Sequence, residues 1–151
     1  MRIQEEFTVP AAPEAVWKLF EDVPRVVRCV PGVLEVEVLA PDRYRVVVSQ
    51  KVGFISATFE MKTQLDAREA PRFIEFSSVG KTIRGALGHL RTKDRVDLAP
   101  EPDGGSRIRL TSEVALGGML GAVGEKVMAS KSKELTQHFA RALRAEIEAA
   151  A

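Results

Sequence analysis

Ile55-Ser56-Ala57-Thr58-Phe59-Glu60-Met61-Lys62-Thr63-Gln64-Leu65 alternates without a fault, with Ile55, Ala57, Phe59, Met61, Thr63 and Leu65 opposed to Ser56, Thr58, Glu60, Lys62 and Gln64. A period of two places successive side chains on opposite faces of a strand, so this segment predicts a strand with one dry face and one wet face. Similar runs flank it at Val33 to Leu39, Tyr44 to Val52, Phe73 to Val79, Leu90 to Leu98 and Arg107 to Leu116. Pro41-Asp42, Gly53, Ala70-Pro71 and Pro102-Asp103-Gly104-Gly105 fall between runs, and connections this short predict antiparallel neighbours. Further out, Ile3, Glu5, Phe7 and Val9 alternate with Arg2, Gln4, Glu6 and Thr8 as a first strand. Val16, Leu19 and Phe20 then follow at helical spacing behind Pro13, and Val23 to Val30, stopped by Pro31-Gly32, predicts a second short helix.

After Gly117-Gly118 the period changes. Leu120, Val123, Val127, Met128, Leu135, Phe139, Ala142 and Leu143 recur at steps of three, four or seven in a proline-free run to the C-terminus. That stripe predicts one long amphipathic helix, and the comparable apolar surface available to bury it is the dry face of the strands. The expected architecture is an α+β fold in which a curved seven-stranded antiparallel sheet wraps around a long C-terminal helix, with two short helices after the first strand. Without repeats, linkers or low-complexity tracts, residues 1–151 are expected to form a single domain.

Composition narrows the function. Apolar residues make up 45% and charged residues 28%, an ordinary globular balance, and 22 Lys and Arg face 21 Asp and Glu, so no overall field favours nucleic acid. One cysteine and two histidines supply no zinc-ligand cluster. Acids interrupt the start of the chain where a signal peptide needs an apolar run, and no stretch reaches the length of a membrane span, so a cytoplasmic location with at most peripheral membrane contact is expected.

The order of elements resembles the helix-grip fold of the START-like (SRPBCC) superfamily across the whole chain. Phe7-Thr8-Val9-Pro10-Ala11-Ala12-Pro13-Glu14-Ala15-Val16-Trp17 resembles that superfamily's opening. Cys29-Val30-Pro31-Gly32-Val33, Lys51-Val52-Gly53-Phe54-Ile55-Ser56-Ala57-Thr58-Phe59-Glu60, Asp103-Gly104-Gly105-Ser106-Arg107 and Gln137-His138-Phe139-Ala140-Arg141-Ala142-Leu143 are similar to the carbon monoxide dehydrogenase G-subunit (CoxG) family. The resemblance implies a non-enzymatic accessory protein of molybdenum hydroxylases, linked to maturation, recruitment or quinone delivery. No cofactor is firmly implied, while a quinone or other apolar molecule fits as ligand. Met61, His89 and Lys131 depart from the family's pattern, which has small residues at the first two places and an apolar one at the third.

A cavity between a curved sheet and a long helix is a concave apolar site for a small molecule. Its expected wall is Phe59, Met61, Ile74, Phe76 and Val96 on the sheet and Leu120, Val123, Val127, Met128 and Leu135 on the helix. The same pattern also fits a filled core. Two charges fall in this apolar set: Asp94, which alternates with Leu90, Val96 and Leu98, and Lys131, which shares a helical sector with Leu120, Val127 and Leu135. They are expected either to pair across the cavity or anchor a polar ligand head group, or else to separate, Lys131 snorkelling at its mouth and Asp94 bonding to neighbouring backbone.

No catalytic or metal-binding residue is assigned. His89 alternates to the wet face, no nucleophile pairs with either histidine, and Gly117, Gly118, Gly121 and Gly124 lack phosphate-loop spacing, which leaves them as room for a close or mobile helix start. Cys29 fits a small buried hydrophobe. Two rivals to a carrier stay open: an enzyme of the polyketide cyclase or dehydratase kind, in which Asp94, His89 and Tyr44 would converge, and a pure protein-interaction module.

Overall fold

A computed structural model of the chain describes residues 1–150. Strand β1 (Arg2–Val9) leads into helices α1 (Pro13–Phe20) and α2 (Val23–Val27), which carry the chain to the far edge of the sheet. Strands β2 (Val33–Ala40), β3 (Arg43–Val52), β4 (Ile55–Glu69), β5 (Phe73–Gly85), β6 (Gly88–Pro100) and β7 (Ser106–Gly118) return as consecutive hairpins. The last of them pairs antiparallel with β1, giving one seven-stranded sheet in the order β1-β7-β6-β5-β4-β3-β2. A 3₁₀ turn (Met119–Ala122) precedes helix α3 (Glu125–Ala150). This is the sheet-around-helix arrangement expected from the alternation and the stripe, and the helix-grip fold that the resemblance implies.

Local chemistry explains the joints. Pro13 opens α1 where its missing N–H costs nothing, and the helix buries Val16, Trp17, Leu19 and Phe20. The Asp22 carboxylate accepts from the Arg25 N–H and caps α2. Gly32 holds φ at +87°, and a Cβ there would strike the Ser49 carbonyl oxygen, so glycine alone permits this turn into β2.

The main core lies under the C-terminal half of α3. Val16, Ile108 and Leu143 are fully enclosed there, each worth about 1.5–3 kcal/mol of burial, and Phe7 meets Phe139 edge to face at 6.1 Å between ring centres. Arg144 donates two hydrogen bonds to the Thr8 carbonyl, at 2.7 and 3.2 Å, and Arg25 pairs with Glu146, so α3 is fastened to both β1 and α2.

Three sequence expectations change, the first being that the second short helix, expected to reach Val30, ends at Val27. The stripe predicts a helix containing Leu120 and Val123, yet Gly118 adopts φ +66° and Val123 is extended, so both precede α3. Glycines at 117, 118, 121 and 124 make helix propagation too costly here. Leu120 is buried against the sheet instead of lying on the helix face. Strands β4 and β5 also run past the expected ends at Leu65 and Val79, to Glu69 and Gly85, because pairing continues where apolar alternation stops. At the free edge of the sheet, β2 leaves Leu34, Val38 and Leu39 exposed, and its pairing with β3 shifts register twice, between Val33 and Glu35 and between Val38 and Ala40.

Candidate functional site

The face of the sheet turned toward α3 is apolar at both ends and polar across the middle. At one end, Val9, Leu98 and Ile108 pack with Trp17 and Leu143, joined by the half-buried Ile74, Val96 and Leu110. At the other, Ala57, Phe59 and Leu120 form a second cluster with Val48, Met61 and Leu90. Between the two, the register aligns Tyr44 with Thr63, Thr63 with Ser78 and Ser78 with Thr92, and in the neighbouring row Asp94 with Ser112. Since Asp94 alternates with Val96 and Leu98 on β6, this hydroxyl-rich belt lies on the same face as the core.

The belt is internally bonded. Thr63 and Ser78 share a hydrogen bond of 2.8 Å between their hydroxyl oxygens. Thr92 donates to one Asp94 carboxyl oxygen at 2.7 Å, and the Ser112 hydroxyl donates to the other. Burial pushes the Asp94 carboxyl above the ordinary carboxylate range, partly offset by these two donors. Burial, then the nearby Asp42, likewise raises the Tyr44 phenol, which stays a donor. No buried side-chain N or O atom among the described residues lacks a partner.

Helix α3 covers this face unevenly. Ala140 and Leu143 are buried, whereas Met128, Lys131 and Leu135 are half-buried and Val127 is 40% exposed. A depression of about 520 Å³ opens where the first turns of α3 pass the β3–β4 turn; Lys51, Gly53, Lys126, Val127, Lys131 and Glu134 are among its lining residues. Lys131 keeps only 14% of its side chain accessible and reaches Glu134 at 3.7 Å. It lines this depression, and among the described residues it makes no ion pair with Asp94.

The residues expected to form one wall are therefore distributed. Phe59, Met61 and Leu120 belong to one cluster, and Ile74 and Val96 to the other. Phe76 pairs with Asp94 across β5 and β6, beside the belt. Val123 is half-buried between the 3₁₀ turn and α3, and Val127 and Lys131 line the depression at the β3–β4 turn. Sequence reasoning missed Thr63, Ser78, Thr92 and Ser112. Their signal was present, since each falls on the inward phase of its strand, but hydroxyls at such places look like filler until the register brings them together.

Two of the departures from the family's pattern are accommodated by glycine. Met61 pairs with Gly80, and its sulfur takes the space a Cβ would need there. His89 pairs with Gly117, with its imidazole over the bare Cα. His89 is exposed on the opposite face from Asp94 and Tyr44, so the three do not converge. Among the described residues no three His, Cys, Asp or Glu groups stand close enough to hold a metal ion, and no helix is long and apolar enough to cross a membrane.

Solved structures share this architecture. A conserved protein from Geobacillus kaustophilus is 18% identical with a TM-score of 0.87, over 98% of this chain and 95% of that one. A protein from Thermus thermophilus is 21% identical with a TM-score of 0.71, over 100% of this chain and 99% of its own. A START superfamily protein from Mycobacterium smegmatis is 15% identical with a TM-score of 0.70, over 99% of both. These likenesses carry the fold. No curated protein matches the chain. The family model for the carbon monoxide dehydrogenase G-subunit (CoxG) matches residues 6–148, nearly the whole length. With a START-like fold and that match together, the chain belongs to the CoxG family of carbon monoxide dehydrogenase proteins.

Proposed function

We propose that this chain is a non-enzymatic binding protein that holds an apolar small molecule bearing a hydrogen-bonding group, a quinone fitting that description, between the sheet and α3. One observation carries this: a polar belt built around Asp94 divides two apolar clusters on the face that the first half of α3 leaves half-covered. An apolar ring or tail would lie along either cluster while its carbonyl accepts from the belt, the pairing of many apolar contacts with few polar ones that small-molecule sites use. A neutral Asp94 would donate to a ketone or quinone oxygen, whereas an ionised one would repel it. Family membership supports service beside a molybdenum hydroxylase of the carbon monoxide dehydrogenase type, as an accessory to maturation, recruitment or quinone delivery. An acid–base enzyme of the cyclase kind is less well supported, since His89 stands on the other face.

Native mass spectrometry of freshly purified protein, followed by titration with decylubiquinone while Trp17 fluorescence is recorded, tests the proposal. Saturable quenching is expected, weakened about tenfold or more by Asp94→Leu, the equivalent of one lost hydrogen bond to a charged or strongly polar group. Absence of saturable binding, with no co-purified mass, refutes it.

A further inference from the structure

A groove of about 1020 Å³ crosses the outer face of the sheet, away from α3, touching every strand from Leu39 and Ala40 on β2 to Arg2 on β1. Its floor is the backbone of the belt residues, whose side chains point the other way. Its walls are the outward residues of the neighbouring rows. Five cations stand along it, Arg2, Arg43, Lys62, Arg91 and Lys93, with Glu113 as the one acid. The whole chain is almost neutral, at a formal net charge of +1, so this concentration is local.

Elsewhere on the same face three arginines are ion-paired, while Lys51 and Lys81 are not. Arg45 is matched by Glu35, Glu37 and Glu60, Arg95 by Glu75 and Asp97, and Arg107 by Glu6 and Glu101. None of the five groove cations makes an ion pair among the described residues, although Glu113 is within the same groove. The register sets Glu113 opposite both Arg2 and Lys93 and puts no two of the five cations directly opposite each other, so the groove carries a local excess of positive side chains over its single acid. That excess suits a surface whose counter-charge is brought by a partner.

We infer that this groove docks an acidic, extended segment of a partner protein. Shape selects that occupant. Six interstrand steps of about 4.8 Å give a track of about 29 Å, the length of roughly nine residues at 3.3 Å each. A long channel with walls fits a chain laid across the strands, whereas a lipid headgroup plane would touch only the rims. Opposed potentials would also speed encounter and fix orientation.

Fluorescence anisotropy of the whole protein with a labelled peptide of about ten alternating Asp and Glu residues tests this. The comparison is between R43E/K62E/R91E and K18E/K133E/R141E, which changes net charge equally on α1 and α3. The groove variant is expected to lose at least about tenfold in affinity and the matched control less than about twofold, with wild-type binding weakening as salt rises. The neutral pair K62Q/R91Q, with minimal effect on the fold, is expected to fall in between. Equal losses in both charge-reversed variants would show mere net-charge attraction and overturn the inference. So would absence of peptide binding, or binding confined to vesicles containing about 30% phosphatidylserine or to a single-stranded oligonucleotide, which would assign the groove to a membrane or a nucleic acid.

Discussion

Replacing Asp94 separates the two things its carboxyl does. Asp94→Ala deletes the acceptor for both Thr92 and Ser112 and leaves two hydroxyls on an inward face. Each lost bond is worth about 1–1.5 kcal/mol when the carboxyl is neutral and about 1.5–3 kcal/mol when it is ionised, so a total of about 2–3 kcal/mol is expected in the first case and about 3–6 kcal/mol in the second. For a chain of 151 residues the smaller loss lowers Tm by about 4–12 °C and the larger by more. Asp94→Asn keeps the shape, accepts from one hydroxyl and donates to the other, and is expected to stay within about 1 kcal/mol of wild type at acidic pH. The pH dependence has a definite sign. Because the folded-state pKa of Asp94 lies above its unfolded value, the native state holds the proton more tightly. Its contribution is fully present below the unfolded carboxylate range and is lost as pH rises through the folded pKa, with a slope of at most about 1.4 kcal/mol per pH unit. Asp94→Asn lacks that loss, so its stability relative to wild type increases from pH 4 toward pH 8. Urea denaturation of the three proteins across that range measures both effects. A difference between wild type and Asp94→Asn that stays flat with pH, or an Asn variant as damaged as the Ala variant at acidic pH, would refute this account of the belt.

Other expectations follow from single contacts. Leu143→Ala, at a position with no exposure, should cost about 3 kcal/mol or more and lower Tm by roughly 6–12 °C in a thermal melt. Gly80→Ala should destabilise by about 1 kcal/mol or more because it displaces the Met61 sulfur, and should do so much less in a Met61→Ala background, a coupling that a double-mutant cycle reads directly. Burial raises the Cys29 thiol, with Glu146 adding to the effect and Arg25 opposing it, so labelling by a disulfide reagent at pH 8 should be at least about tenfold slower in the native protein than in urea.

Much of the fold was legible because period and punctuation agreed. Ile55 to Leu65 announced a strand with one dry face, the short connections announced hairpins, and the spacing through Phe139 and Leu143 announced a helix lying on that face. What failed was local. Leu120 and Val123 kept helical spacing while four nearby glycines withdrew the backbone's support, and spacing carries no information about that cost. The site was half legible. Asp94 stood out as an acid on an apolar phase, but Thr63, Ser78, Thr92 and Ser112 gain meaning only through a register spanning four strands, which hydrophobic pattern does not fix. The outer groove was less legible still. Arg43, Lys62, Arg91 and Lys93 are scattered over fifty positions and read singly as ordinary solvated residues; the pleat and the pairing gather them.

The outermost strand, β2, has a consequence for the chain's solubility. A straight terminal strand offers its unpaired N–H and C=O groups at even spacing to any other extended chain, and three greasy side chains at 34, 38 and 39 would reward the union. Its two slips in alignment with β3 break that even spacing, and Glu35 and Glu37 place negative charge on the rim. A second copy approaching side by side would meet a crooked, like-charged border, which discourages growth into ribbons without hiding any of the three.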